Sequence, residues 1–414
     1  MVQMALNVER KKRIFIAGHY LEIGGAEISL IGLLQAIDYT KYDVDLFLYQ
    51  HTGELMSLIP ESVHLIPQID DFAQLECPLK QTLFSKYWRT GFARLKTKVQ
   101  YGWYARTHEC PDGNAYFQYL ANNVTPFLPS LYHLGEYDLA INFIGMMNIV
   151  RDKVRAKKKV TWIHTDYTNI SVNVALELPV WNSFDKIVSI SESSAKSFLS
   201  VFPSLKSKIT VIENILSSAF VRARAEEYAM VSQDMPKHEN EICLLSVGRF
   251  CKAKNYDNVS AICALLRERL KEYQLDVRWY LIGYGGDEPL IRQKIREAGM
   301  EKHVVILGKK ENPYPYIKSC DWYVQPSRYE GKSVTVREAQ MLCKPVIITN
   351  YPTATSQIQH GTDGIIVPQD NEGAAKHMAD VICNTPLRQQ LTEYLSCHDY
   401  GNESEVEKIY GFLK

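Results

Sequence analysis

The sequence predicts an α/β protein built from two similar domains. Three observations carry this. A strand–glycine–helix–strand pattern opens the chain, a comparable pattern restarts at about residue 242, and a polar, acidic stretch without periodicity lies between them. The 414 residues fit two to three domains at roughly 150 residues each.

The first element, Arg13 to Ala17 (RIFIA), is a β-branched and aromatic run that ends at Gly18 and reads as a buried strand. Gly24-Gly25-Ala26-Glu27 follows, then Ile28, Ile31, Leu34 and Ile37 at helical spacing, then a strand over Asp43 to Tyr49. That is the opening of a βαβ unit. Further strand-like runs occur at Leu139–Phe143, Lys159–Ile163, Lys186–Ile190 and Ile209–Ile212. Residues 225–241 read as an interdomain linker. Beyond it come strand Ile242–Val247, helix Tyr256–Lys271, strands Val277–Ile282, Val304–Leu307 and Trp322–Val324, helix Ser333–Leu342 and strand Pro345–Thr349. The expected domains are therefore 1–225 and 241–395, facing across a central cleft at the strand C-terminal edges, where open α/β sheets bind ligands.

Composition narrows the function. Lys+Arg and Asp+Glu both number 47, and this zero net charge argues against a general nucleic-acid binder. No stretch reaches the roughly 20 apolar residues that span a bilayer; the longest, Leu139 to Val150, is interrupted by Asn142, Gly145 and Asn148. Residues 1–13 lack the apolar run of a signal peptide. The nine cysteines form no C-x-x-C pair and no zinc spacing, which suits free thiols in a reducing cytoplasm.

The chemistry concentrates in PSRYEGKSVTVREAQMLCKPVIITNY, Pro326 to Tyr351. A strand ends near Gln325, a loop carries Glu330-Gly331-Lys332-Ser333, and a helix carries Glu338. Free N–H groups at a helix N-terminus favour phosphate, and Gly331 permits close backbone approach. Glu338 is placed to accept hydrogen bonds from vicinal hydroxyls, and Glu330 to face a sugar; a solvated helix with an N-terminal Glu is the plainer alternative. Gly248-Arg249 follows a strand, with Lys254 beyond. A planar guanidinium and a point-charge ammonium on one loop suit a diphosphate, including the charge that develops as it departs. Taken singly, each is more often a surface cation.

Gly283-Tyr284-Gly285-Gly286 begins as G-x-G, but Glu288 stands at the third glycine position. The dinucleotide fingerprint fails, and the segment reads as a tight turn. His164 and the pair Gly24, Gly25 follow strands, at edges that would face the cleft. Asp43-Val44-Asp45 matches a D-x-D cation pattern, but it sits inside a strand and no metal site is expected.

Residues 77–108 hold seven Lys/Arg and no Asp/Glu. Phe84, Trp88, Phe92, Leu95, Val99 and Trp103 share one helical face, and Lys86, Arg89, Arg94, Lys96 and Lys98 occupy the rest. Such a helix either lies on an anionic membrane or packs in the core with a basic solvent face.

Several motifs in this order resemble the GT-B fold, retaining glycosyltransferases of glycosyltransferase family 4, particularly polysaccharide-assembly members. They are Gly24-Gly25, His164, Ser191-Glu192-Ser193, Asn214, Gly248-Arg249 with Lys254, Gly283-x-Gly285, Gly308, Asn312-Pro313, and Glu330 with Glu338. The resemblance is strongest over 242–368 and implies a fold of two Rossmann-like α/β domains, the first for acceptor and the second for donor, with helix 404–414 packing back on the first.

It also implies roles. Arg249, Lys254, Glu330 and His164 would be catalytic. Gly24, Gly25, Gly248, Lys309, Asn312, Pro313, Gly331, Lys332, Ser333 and Glu338 would bind the donor. Family members usually need no metal, and no cofactor is expected beyond the nucleotide diphosphate sugar, with UDP favoured over GDP. The partners implied are that donor and a glycan acceptor, lipid-linked if residues 80–106 meet a membrane. The expected location is cytoplasmic, or peripheral on the cytoplasmic face. Lys332 departs from the apolar residue that many members carry there. A nucleotide-sugar epimerase and a non-catalytic nucleotide-sugar-binding protein are the alternatives, separable by product analysis and by turnover.

Overall fold

A computed structural model describes residues 10–108, 114–227 and 230–414. The expectation about a leader rests on residues 1–13, of which 1–9 lie outside the described residues. The chain divides into an N-terminal unit, running to Leu216 and resuming over Asn402–Lys414, and a C-terminal unit, Ser217–Gly401.

The N-terminal unit contains β1 (Lys12–Gly18), α1 (Gly25–Ala36), β2 (Tyr42–Leu48), β3 (His64–Leu65), α2 (Trp88–Thr107), α3 (Ala115–Val124), β4 (Glu136–Asn142), β5 (Arg155–Ile163), α4 (Val174–Asn182), β6 (Lys186–Ser189) and β7 (Ile209–Val211). Its sheet has the order β3-β2-β1-β4-β5-β6-β7, with parallel pairings throughout. Ile14, Phe15, Ile16 and Ala17 are all fully buried. The run is continuously apolar because both faces of a parallel sheet are covered. Ile14 and Ile16 join one core with Leu46, Leu139 and Ile141. Phe15 and Ala17 join the opposite core with Phe47, Tyr137 and Ala140.

The C-terminal unit contains α5 (Ser218–Ala225), β8 (Glu241–Val247), α6 (Val259–Leu270), β9 (Asp276–Ile282), β10 (Val304–Gly308), α7 (Tyr314–Ser319), β11 (Trp322–Gln325), α8 (Val334–Met341), β12 (Val346–Thr349) and β13 (Ile365–Val367). Its six-stranded sheet runs β10-β9-β8-β11-β12-β13, again parallel. In both sheets the strand order reverses beside the first strand of the unit. This switch point splays the loops after β1 and β4, and after β8 and β11, and opens a crevice for ligands.

Three features differ from the sequence reading. The units meet in sequence at 216/217, ahead of the expected limit at 225. Helix α5 belongs to the C-terminal unit because Arg222 Nε donates to the Met341 carbonyl (3.1 Å), the Arg224 carbonyl accepts from Asn312 Nδ2 (2.7 Å), and Phe220 meets the Tyr314 ring. The polar stretch 225–241 is tethered to the C-terminal unit. Asp234 accepts from Lys310 Nζ (2.7 Å) and Tyr316 Oη (2.6 Å), and Glu226 pairs with Lys318 (2.6 Å); residues 228–229 lie outside the described residues. Strands β3 and β13 went unread because two- and three-residue pairings leave no periodic signal.

The C-terminal helix, α9 (Val406–Gly411), packs on the N-terminal unit. Tyr410 stacks on Tyr42 with centroids 4.3 Å apart and accepts the Asp38 N–H at 2.8 Å.

Candidate functional site

The two loops at the C-terminal switch point are clamped together. After β8 the chain passes Gly248 and Arg249 to Asn255, which adopts a left-handed conformation (φ 61°). Asn255 is buried and its Nδ2 donates to the Pro326 carbonyl at 2.9 Å. Arg328 closes the clamp, forking onto Asp257 at 2.8 and 2.7 Å while its N–H donates to the Ala253 carbonyl (2.8 Å).

The clamp brings Lys254 and Glu330 together. Their Nζ and Oε1 atoms are 2.5 Å apart, with only 19% and 11% of the side chains exposed. The same Glu330 oxygen accepts from Ser327 Oγ (2.6 Å) and Gln325 Nε2 (3.2 Å). Thr353 Oγ1 fixes the Glu330 carbonyl at 2.8 Å. A pair held this way has a set geometry, which an exposed pair lacks. Gly248 lies against it: a Cβ there would sit 2.9 Å from Tyr256 Oη and 3.4 Å from Lys254 Cε. Arg249 is exposed and has no side-chain hydrogen bond or ion pair among the described residues.

Gly283 and Gly285 support the β8 loop from beneath. They adopt φ of 152° and 156°, and a Cβ on either would collide with the Gly248 and Phe250 carbonyl oxygens, at 1.9 and 2.3 Å. The close approach allows Phe250 N–H to reach the Tyr284 carbonyl (2.8 Å). The expected tight turn is therefore a backbone seat.

Glu338, on α8, is fully buried. This overturns the alternative of a solvated helix. Tyr314 Oη donates to its Oε1 at 2.8 Å, and Oε2 has no partner among the described residues. Burial pushes the carboxyl up to about 7, against a smaller opposing effect from Tyr314. An unpaired buried carboxylate oxygen is costly, and it is a ready acceptor for ligand hydroxyls.

The other expected donor contacts lie in the loops around Glu338 and Glu330, where Asn312 and Ser333 have protein partners. Asn312 donates from Nδ2 to the Arg224 carbonyl (2.7 Å) and Glu227 (2.9 Å), while its Oδ1 accepts the Tyr314 N–H (3.1 Å). Its side chain orients Tyr314 toward Glu338. Pro313 is buried beside it. The Ser333 N–H, expected to approach phosphate, donates to Gln357 Oε1 (2.9 Å), whose Nε2 returns to the Ser333 carbonyl. Gly331 and Lys332 are half-buried in the same loop. Lys309 Nζ lies 5.0 Å from the centroid of the Tyr284 ring.

The N-terminal unit has its own site. A cavity of about 710 Å³ opens at the ends of β1, β4 and β5, lined by His19, Tyr49, Asn142, His164, Glu177 and Trp181 among others. His164 Nε2 meets the Phe143 carbonyl at 2.8 Å, so this nitrogen carries the proton and Nδ1 is an acceptor. That Nδ1 is buried without a partner among the described residues, and burial lowers the imidazole pKa to about 4. Gly24 precedes α1, and nothing lies within 4 Å of a Cβ built on Gly25. Asp45, of the D-x-D match, accepts from Arg13 (3.0 Å) and Tyr137 (2.5 Å) and meets His64 Nδ1 at 2.7 Å.

Sequence reasoning missed Glu177. Its Oε2 accepts from Trp181 Nε1 (3.2 Å), and burial pushes it up to about 7. A lone Glu inside VALELPVW was the available signal. Asn255 and Tyr314 were also missed, since their partners Pro326 and Glu338 lie 71 and 24 residues away; Gln325 and Ser327 were missed although Glu330 lies only five and three residues on.

Residues 231–396 match the family described as Glycosyl transferases group 1. The chain is 33% identical over 168 residues to "Putative glycosyltransferase EpsF" of Bacillus subtilis, covering 39% of this chain and 41% of that one. It is 29% identical over 133 residues to a Campylobacter jejuni protein, "N-acetylgalactosamine-N,N'-diacetylbacillosaminyl-diphospho-undecaprenol 4-alpha-N-acetylgalactosaminyltransferase", covering 32% and 34%. The chain thus spans half or less of the length of the first curated relatives that it matches. Among solved structures it is similar to Anabaena Alr3699/HepE in complex with UDP-glucose, with a TM-score of 0.65 at 15% identity over 97% of this chain and 99% of that one. The fold is the GT-B fold of two Rossmann-like α/β domains.

Proposed function

We propose that the protein is a retaining glycosyltransferase. It moves a hexose or N-acetylhexosamine from a nucleotide diphosphate sugar, UDP in preference to GDP, to a glycan hydroxyl in cell-surface polysaccharide assembly. The observation that carries this is the clamped Lys254–Glu330 pair beside exposed Arg249, within the segment that matches the family. The reading is supported by relatives named for glycosyl transfer and by a structural neighbour solved with UDP-glucose.

In this reading Arg249 and Lys254 bind the diphosphate and stabilise its charge as the bond from sugar C1 to the β-phosphate oxygen breaks. The acceptor oxygen bonds to C1 from the same face, and its proton passes to the departing phosphate oxygen. The configuration at C1 is thereby kept. Glu338 Oε2 accepts the ribose hydroxyls, and Glu330 meets the sugar. His164, neutral, offers Nδ1 to a sugar hydroxyl, and the backbone at Gly24 and Gly25 approaches the donor, with open space at Gly25. No metal takes part. The acceptor is lipid-linked in the version that includes a membrane contact through residues 80–106, and the reaction is cytoplasmic.

The test is incubation with a panel of UDP- and GDP-sugars and glycan acceptors, with NMR of the product. Transfer with retained anomeric configuration supports the proposal. Conversion of the donor without acceptor, or binding without turnover, contradicts it.

A further inference from the structure

Helix α2 is amphipathic in the reverse of the usual soluble sense. It buries Thr90, Gly91, Ala93 and Thr97 against its unit. It exposes Trp88 (49%), Phe92 (57%), Val99 (67%) and Trp103 (69%), with Leu95 among them, and Phe84 just before the helix is 90% exposed. At about 100° per residue the five side chains on the helix fall within an arc of about 80°. The core-packing alternative for this face is therefore excluded.

The helix is held in place without that face. Gly91 packs so closely that a Cβ would sit 2.9 Å from the Leu83 backbone. Thr97 Oγ1 accepts from Asn123 Nδ2 at 3.0 Å, and Arg94 donates to the Gln74 and Cys77 carbonyls, both at 2.7 Å. Small residues and hydrogen bonds thus seat the helix, and its large apolar side chains are turned outward. Exposed Lys86, Arg89, Lys96 and Lys98 border the stripe.

We propose that this face docks on an anionic lipid bilayer, with the aromatic stripe entering the interface and the lysines and arginines meeting the headgroups. Trp and Phe on one face, with cations beside them, are what an interfacial helix requires. Charge selects the occupant. A second copy of this chain would bring its own basic border against this one, since residues 77–108 contain no Asp or Glu. The inference deepens the membrane contact named in the transfer reading and stands on its own observation.

The test is flotation of the full chain with vesicles of phosphatidylcholine, with and without phosphatidylglycerol. The native chain is expected to float with phosphatidylglycerol vesicles and to be released by salt. The variant Trp88→Ser/Phe92→Ser/Trp103→Ser should lose at least about tenfold in affinity. The variant Lys86→Gln/Arg89→Gln/Lys96→Gln/Lys98→Gln should lose the preference for phosphatidylglycerol. All substituted side chains are exposed, and unchanged thermal melts verify the fold. Trp103→Phe, which keeps an aromatic ring, should still bind. Three outcomes overturn the proposal: no flotation of the native chain, equal binding by the triple aromatic variant, or self-association in place of vesicle binding that the same variant removes. Titration with UDP, unaffected by these variants, separates failure here from failure of the transfer reading.

Discussion

The ammonium of Lys254 lies 2.5 Å from the carboxylate of Glu330, at the switch point of the C-terminal sheet. A cation so paired is already positioned, and a diphosphate that shares it meets a charge that need not be reorganised. Lys254→Met should lower kcat/KM by about 10²–10³-fold. Glu330→Gln keeps the shape and should cost less. In a double-mutant cycle the two should be strongly non-additive. Additive losses in that cycle would separate the pair.

Arg249 is exposed, and among the described residues its side chain makes no hydrogen bond or ion pair that a substitution would remove. Arg249→Ala should leave the melting temperature unchanged and cut donor turnover by at least about tenfold. Paired thermal melts and initial rates check this.

Glu338→Gln should move stability and binding in opposite directions. Burial raises the Glu338 pKa from 4.5 to about 7. Its protonated form therefore stabilises the fold fully below about pH 4.5, and that contribution is lost as pH rises through 7. The neutral Gln should raise stability at pH 8 by an amount on the order of a few kcal/mol, while weakening nucleotide binding. Denaturant melts at pH 5 and pH 8, with UDP titrations, read both.

His164 should titrate near 4. Its neutral form stabilises the fold above pH 6.5, and this is lost as pH falls through about 4. Imidazole NMR at pH 5.5 should show a neutral ring with the proton on Nε2. A midpoint near 6.5 would contradict the buried placement.

Gly283→Ala should disturb the site from beneath. The residue holds φ of 152°, and a Cβ would lie 1.9 Å from the Gly248 oxygen. A loss of roughly 1–3 kcal/mol is expected, with reduced donor affinity, read from melts and titration.

Much of the fold was legible because parallel strands buried on both faces leave runs such as RIFIA and ICLLSV. The strand order, and hence the switch points, was not, because pairings between β1 and β4 or β8 and β11 have no local signature. In the candidate site, local motifs pointed to Lys254, Glu330 and Glu338. The Asn255–Pro326 and Arg328–Asp257 contacts that join their loops span 71 residues each and could not be read from spacing. Asn312 illustrates the limit of motif reading: the residue lies where expected, yet its side chain holds α5 and Tyr314 rather than standing free. Glu177 was legible as a lone charge in an apolar run, but its cavity depends on β1, β4 and β5 converging.

Calorimetric titration of the protein with UDP tests the central claim most directly, that the loops after β8 and β11 grip a nucleoside diphosphate. The account predicts one site per chain, weakened at least about tenfold by Lys254→Met and by Glu338→Gln. Absence of binding by UDP and GDP alike, or native affinity retained in both variants, would contradict it.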